Sequence, residues 1–131
     1  MTRTGVKGEP SLEIQEMYEA VRDAKTLSAS QVRAGVLGAD LYQAVVEFFE
    51  ERGYESSTQG FIHSLGHGVG LEVHEEPSLG PRGGELVVGN VITIEPGLYY
   101  PGVGGVRLED MGAVMETGFD LFTQYEEKLI I

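Results

Sequence analysis

The chain changes periodicity at Gly60, and that switch restricts its architecture more than any other feature. Upstream, Ile14, Met17, Tyr18, Val21 and Ala24 recur at the three, four and seven spacing of one helical face. Ser11 stands at the N-cap position with Glu13 in the first turn, where a carboxylate complements the helix dipole. GVLG at 35–38 interrupts the pattern. A second helix is expected over 39–52, with Leu41, Val45, Phe48 and Phe49 inward and Gly53 closing it. Downstream the helical period vanishes, and short runs between glycines and prolines read as strands: FIH, VGLEVH, ELVV, NVITIE, GVRLEDMGAVM and LFT. Residues 1–10 read as a strand end followed by a loop. Helices first and antiparallel strands afterwards predict an α+β fold, two helices packed on one face of a curved, mostly antiparallel sheet.

With 131 residues the chain supports one core, so residues 1–131 are expected to form a single domain. A net charge of −12 disfavours nucleic acid and anionic membrane surfaces as partners. Carboxylates attract divalent cations, although most of that charge belongs on a solvated surface. Cysteine is absent, which excludes disulfides and thiolate metal sites. No apolar run approaches the length of a membrane span and no signal sequence is visible. The expected location is the cytoplasm.

All three histidines, His63, His67 and His74, lie in one glycine-punctuated run, HSLGHGVGLEVHEEP. Two strands with acidic ends follow. In VITIE a period of two places Val91, Thr93 and Glu95 on one face and Ile92 and Ile94 on the other. Pro96 and Gly97 then leave the Glu95 carboxylate at the strand mouth. In VRLED, Arg107 and Glu109 share a face opposite Val106 and Leu108. A single acid at a strand end is more often an ion pair than a functional group, but two of them behind a histidine cluster reverse that balance. Imidazole and carboxylate together suit a divalent metal in an oxygen-rich site.

Several alternatives fail on spacing. His63 and His67 are four apart, but Ser64 occupies the position where a helical zinc-protease motif needs glutamate, and the glycines disfavour a helix. Gly66-x-Gly68 is followed by Leu71 where a dinucleotide fingerprint needs glycine. No Gly-x-Ser-x-Gly elbow exists, so acyl transfer to serine is unsupported. The glycines beside His67 are better read as permitting close backbone approach to a ligand.

The stretch from HSLGHGVGLEVHEEP through TIEPGLYYPGVGGVRLED resembles the M24 metallopeptidases, and within them the Xaa-Pro dipeptidase (prolidase) and Xaa-Pro aminopeptidase branch. The resemblance covers the whole chain. It implies the C-terminal portion of a pita-bread fold around a two-metal site (manganese, cobalt or zinc) and cleavage of peptides with proline at the second position. By motif, His67 in GHGVG, Glu95 in TIEPG and Glu109 in RLED match metal ligands. Glu95 also matches the general base, and His74 the histidine that contacts the substrate carbonyl. His63, Tyr99 and Arg107 match auxiliary residues of the proline-specific branch, the first and last of which methionine aminopeptidases usually lack.

Two aspartate ligands complete the family site, the second lying just upstream of a TRT motif. Here Thr2-Arg3-Thr4 follows Met1, and Asp23, Asp40, Asp110 and Asp120 do not match those positions. The expectation is therefore an incomplete site that binds at most one ion weakly and is inactive alone. Self-association or an Asp-bearing N-terminal half would cover its apolar surface. The competing expectation is a non-catalytic pita-bread remnant that binds a peptide or protein.

Overall fold

The computed structural model describes residues 1–131. Helix α1 spans Leu12–Gln31 and α2 spans Gly38–Glu50. The Ser11 hydroxyl accepts from the Ile14 amide at 3.3 Å, so the expected N-cap forms. α1 ends at Gln31, ahead of the GVLG interruption, because Val32 turns extended and the Ala34 amide bonds Met115 O at 3.0 Å. Met17, Tyr18, Val21 and Ala24 are buried, as their spacing requires.

The strands are β1 (Gly66–Gly68), β2 (Glu75–Leu79), β3 (Val91–Ile94), β4 (Gly97–Tyr100), β5 (Gly104–Arg107), β6 (Asp110–Val114) and β7 (Phe119–Leu121). Five form one antiparallel sheet in the order β2-β1-β3-β6-β7, and β4 pairs with β5 in a separate two-stranded sheet. The α+β arrangement is thus the expected one. Its core is a cluster of 19 buried apolar residues that joins both helices to both sheets, with Phe49, Phe61, Ile92, Ile94, Leu98 and Leu108 fully enclosed.

Several strand expectations are corrected. FIH is not a strand; Phe61 is instead a core anchor, its ring 5.5 Å from those of Phe49 and Tyr42. VGLEVH has strand-like alternation, but only Val69 bonds a neighbouring strand, its amide to Val91 O at 2.9 Å. It forms the loop from β1 to β2, with Leu71 and Val73 in solvent. ELVV makes only an isolated bridge at Glu85. The run expected as one strand over 105–115 divides at Leu108-Glu109 into β5 and β6, which belong to different sheets. The last strand lies before LFT and shares only Leu121 with it. The expected strand end in residues 1–10 amounts to bridges from Thr2 to Glu109 and from Val6 to Ile130.

Candidate active site

β1 carries His67 between two glycines, and both are sterically required. A Cβ at Gly66 would lie 2.0 Å from Thr93 O, and one at Gly68 would lie 2.3 Å from Glu76 O. The close approach inferred from these glycines is therefore to the adjoining strands, and it sets His67 directly against β3. There the Thr93 hydroxyl accepts from the His67 amide at 3.1 Å and donates to Glu95 Oε1 at 3.0 Å. The period of two in VITIE puts Thr93 and Glu95 on this same face, while Ile92 and Ile94 enter the core.

His67 Nδ1 lies 2.9 Å from Gly68 O. A carbonyl only accepts, so Nδ1 carries a ring proton, and in the neutral ring Nε2 is left with the lone pair. That lone pair faces Glu95 Oε1 at 3.1 Å. Two acceptors in a mostly buried setting, with side chains 18% and 15% exposed, repel unless a cation lies between them. A shared proton or a divalent metal meets that need, and a nitrogen and carboxylate oxygen pair suits manganese, cobalt or zinc. The His74 ring lies 4.2 Å from that of His67, on the exposed loop.

A second group runs beside the first. Phe61 packs on His63 with ring centroids 5.4 Å apart, and His63 Nε2 meets the Tyr99 hydroxyl at 3.0 Å. Burial raises Tyr99 above its ordinary value of 10.0, the charge and hydrogen bond of Arg107 lower it, and the Glu95 carboxylate pushes it up. Arg107 Nε donates to Thr2 Oγ1 at 3.3 Å, and the same hydroxyl donates to Glu109 Oε2.

The structure thus pairs two of the three expected ligands, His67 and Glu95. Glu109 is engaged by Thr2, and no three His, Asp or Glu side chains come together closely enough to hold an ion. His63 and Tyr99 are joined by a hydrogen bond, and the Arg107 charge acts on Tyr99. The threonines carry no signal of their own in the sequence: Thr93 shares a strand face with Glu95, and Thr2 belongs to the Thr2-Arg3-Thr4 segment.

Residues 1–116 match metallopeptidase family M24, and the chain belongs to that family. An uncharacterized peptidase of Staphylococcus aureus is 41% identical over 128 residues, covering 97% of this chain and 36% of the relative. Among solved structures, an Xaa-Pro dipeptidase from Bacillus anthracis is similar at TM-score 0.93 and 38% identity, covering 98% of this chain and 36% of that one. The prolidase from Pyrococcus horikoshii gives a TM-score of 0.91 at 40% identity, with 98% and 36% covered. The chain therefore spans about a third of the length of the relatives it matches. No helix is long and apolar enough to cross a membrane.

Proposed function

We propose that the chain carries part of a site that hydrolyses Xaa-Pro peptide bonds with a divalent metal, manganese being the first to test. The observation that carries the reading is the facing pair of His67 Nε2 and Glu95 Oε1, two lone-pair donors held 3.1 Å apart by Thr93 and Gly68. His67, Glu95 and Glu109 are the residues of this chain that would hold metal, and a bound ion would polarise water and the scissile carbonyl. Glu95 takes the proton of the attacking water, since its free oxygen lies at the strand mouth. His74, exposed beside His67, donates a hydrogen bond to the carbonyl oxygen as charge develops there. His63, Tyr99 and Arg107 form a rigid flank that orients the proline end of the peptide.

No three ligands converge within these residues, so the site needs further ligands, which an Asp-bearing N-terminal half would provide. Exposed Leu71, Val73, Val87 and Val88 supply apolar surface for that half or for a second copy. The working unit is one domain in the cytoplasm. The test is manganese-dependent release of proline from Ala-Pro by the 131-residue chain, alone and with an N-terminal half of a relative added. We expect little hydrolysis alone, a gain on complementation, and loss of that gain with Glu95→Gln. Hydrolysis by the chain alone that ignores Glu95→Gln would overturn the assignment.

A further inference from the structure

The segment Thr2-Arg3-Thr4 clasps the junction between β5 and β6, where Arg107 and Glu109 project. Backbone pairing holds it in register: the Thr2 amide bonds Glu109 O at 3.3 Å and the Glu109 amide bonds Thr2 O at 3.0 Å. Thr4 Oγ1 closes a second loop, donating to Arg107 O at 2.9 Å and accepting from the Arg107 amide at 3.0 Å. Arg3 locks the clasp from behind. Its Nη1 donates to Glu109 O at 2.8 Å and its Nη2 pairs with Asp110 Oδ1 at 2.7 Å. The same guanidinium reaches Tyr125 O at 2.9 Å, fastening the C-terminal segment onto it.

These contacts fix where the Thr2 hydroxyl sits, which is between Arg107 and Glu109. A hydroxyl has one proton to give and lone pairs to receive with. Here the proton goes to Glu109 Oε2 and a lone pair receives Arg107 Nε–H. Beyond Arg107 lies Tyr99, whose hydroxyl meets His63 Nε2 at 3.0 Å. Thr2 thus links the Glu109 carboxylate to Arg107. We propose that Thr2 is a positioning residue: its hydroxyl sets the direction of the Glu109 carboxylate and ties it to Arg107, while Arg3 fixes the backbone that holds Thr2 in place. The proposal rests on the reading of Glu109 as a metal ligand, and the experiment separates the two.

Manganese alone is titrated into the 131-residue chain and its variants by calorimetry, and Arg107 Nε–H exchange is followed by NMR. Outer-shell partners of metal ligands typically contribute about 10–100-fold in affinity. Thr2→Val, which removes only the hydroxyl chemistry, should weaken manganese binding about tenfold and speed Arg107 Nε–H exchange. Thr2→Ser should restore both. Ser28→Ala, which loses a buried hydroxyl bond within α1, should lower the melting temperature without changing either readout. Weakening by Glu109→Gln with Thr2→Val equal to wild type would overturn the positioning role alone. Wild-type chain that binds no manganese, or binds it as well after Glu109→Gln, would overturn the ligand reading instead. In that event Arg107 exchange decides the clasp: acceleration in Thr2→Val upholds it, and an unchanged rate overturns it.

Discussion

Replacing Gly66 by alanine tests how strand packing builds the site. An added Cβ would lie 2.0 Å from Thr93 O and 2.8 Å from its carbonyl carbon, where ordinary contact begins near 3.4 Å. Both atoms are backbone, so no side-chain rotation relieves the overlap, and β1 and β3 must separate by more than 1 Å. The overlap itself costs about 1–3 kcal/mol. The separation also stretches the bond from the Glu95 amide to Leu65 O, now 2.7 Å, and that from the His67 amide to Thr93 Oγ1, now 3.1 Å. Each contributes about 1 kcal/mol. Alanine restricts the unfolded chain and returns about 0.4–1 kcal/mol. The net loss is about 2–4 kcal/mol, a serious fraction of the roughly 5–15 kcal/mol typical of a domain.

Urea unfolding measures this directly, with Gly118→Ala as the comparison. Gly118 has open space at its Cβ, so that variant should be neutral or slightly stabilised. Gly68→Ala clashes with Glu76 O instead, on the β2 side. It should cost similar stability while disturbing the His67–Glu95 pair less, a contrast visible in the His67 ring signals by NMR. If Gly66→Ala unfolds within 0.5 kcal/mol of Gly118→Ala, a threshold of about the usual scatter for surface changes, the packing argument is wrong.

Asp110 is shared by Arg3 and Lys25, and Lys25 also pairs with Glu127; the Lys25 and Asp110 side chains are each 7% exposed. Asp110→Ala leaves Arg3 without a carboxylate and Lys25 with Glu127 alone, and should cost about 3–5 kcal/mol by urea unfolding. Glu127→Ala should cost far less, and equal losses would refute the view that Asp110 is the hub. Tyr18, Tyr54 and Tyr99 are all raised above 10.0, in each case chiefly by burial. Above pH 10 the unfolded chain releases these protons while the folded chain retains them, so stability present below pH 10 should fall as pH rises through the folded values. Chemical denaturation between pH 9 and pH 11 should show that fall, with a smaller slope in Tyr99→Phe; a flat profile would refute it.

What could be read from the sequence depended on how local the signal was. α1 and α2 were legible because an amphipathic stripe and a cap are written within a few turns of chain. β3 was legible because a short β-branched run between Gly-Asn and Pro-Gly is a local signal, and the strand it forms is buried on both faces. β1 was not, since Gly-His-Gly carries no strand propensity; it is a strand only because β2 and β3 approach closely from either side. The same dependence misled in the opposite direction at 70–74, where apolar alternation meets no partner strand and becomes an exposed loop.

The site follows the same rule. Histidines are scarce here and carboxylates interrupt apolar strands at only a few places, so His67, Glu95 and Glu109 stand out by type alone. A threonine does not stand out, because its hydroxyl takes a role only when folding delivers it to a partner. Thr93 reaches His67 across 26 positions, and Thr2 reaches Glu109 across 107. Both nonetheless decide which way a carboxylate points, and a carboxylate's direction determines whether it can meet a cation or a neighbouring guanidinium. Residue type therefore nominates the chemistry of this site, whereas its geometry rests on hydroxyls that only long-range strand pairing brings into place.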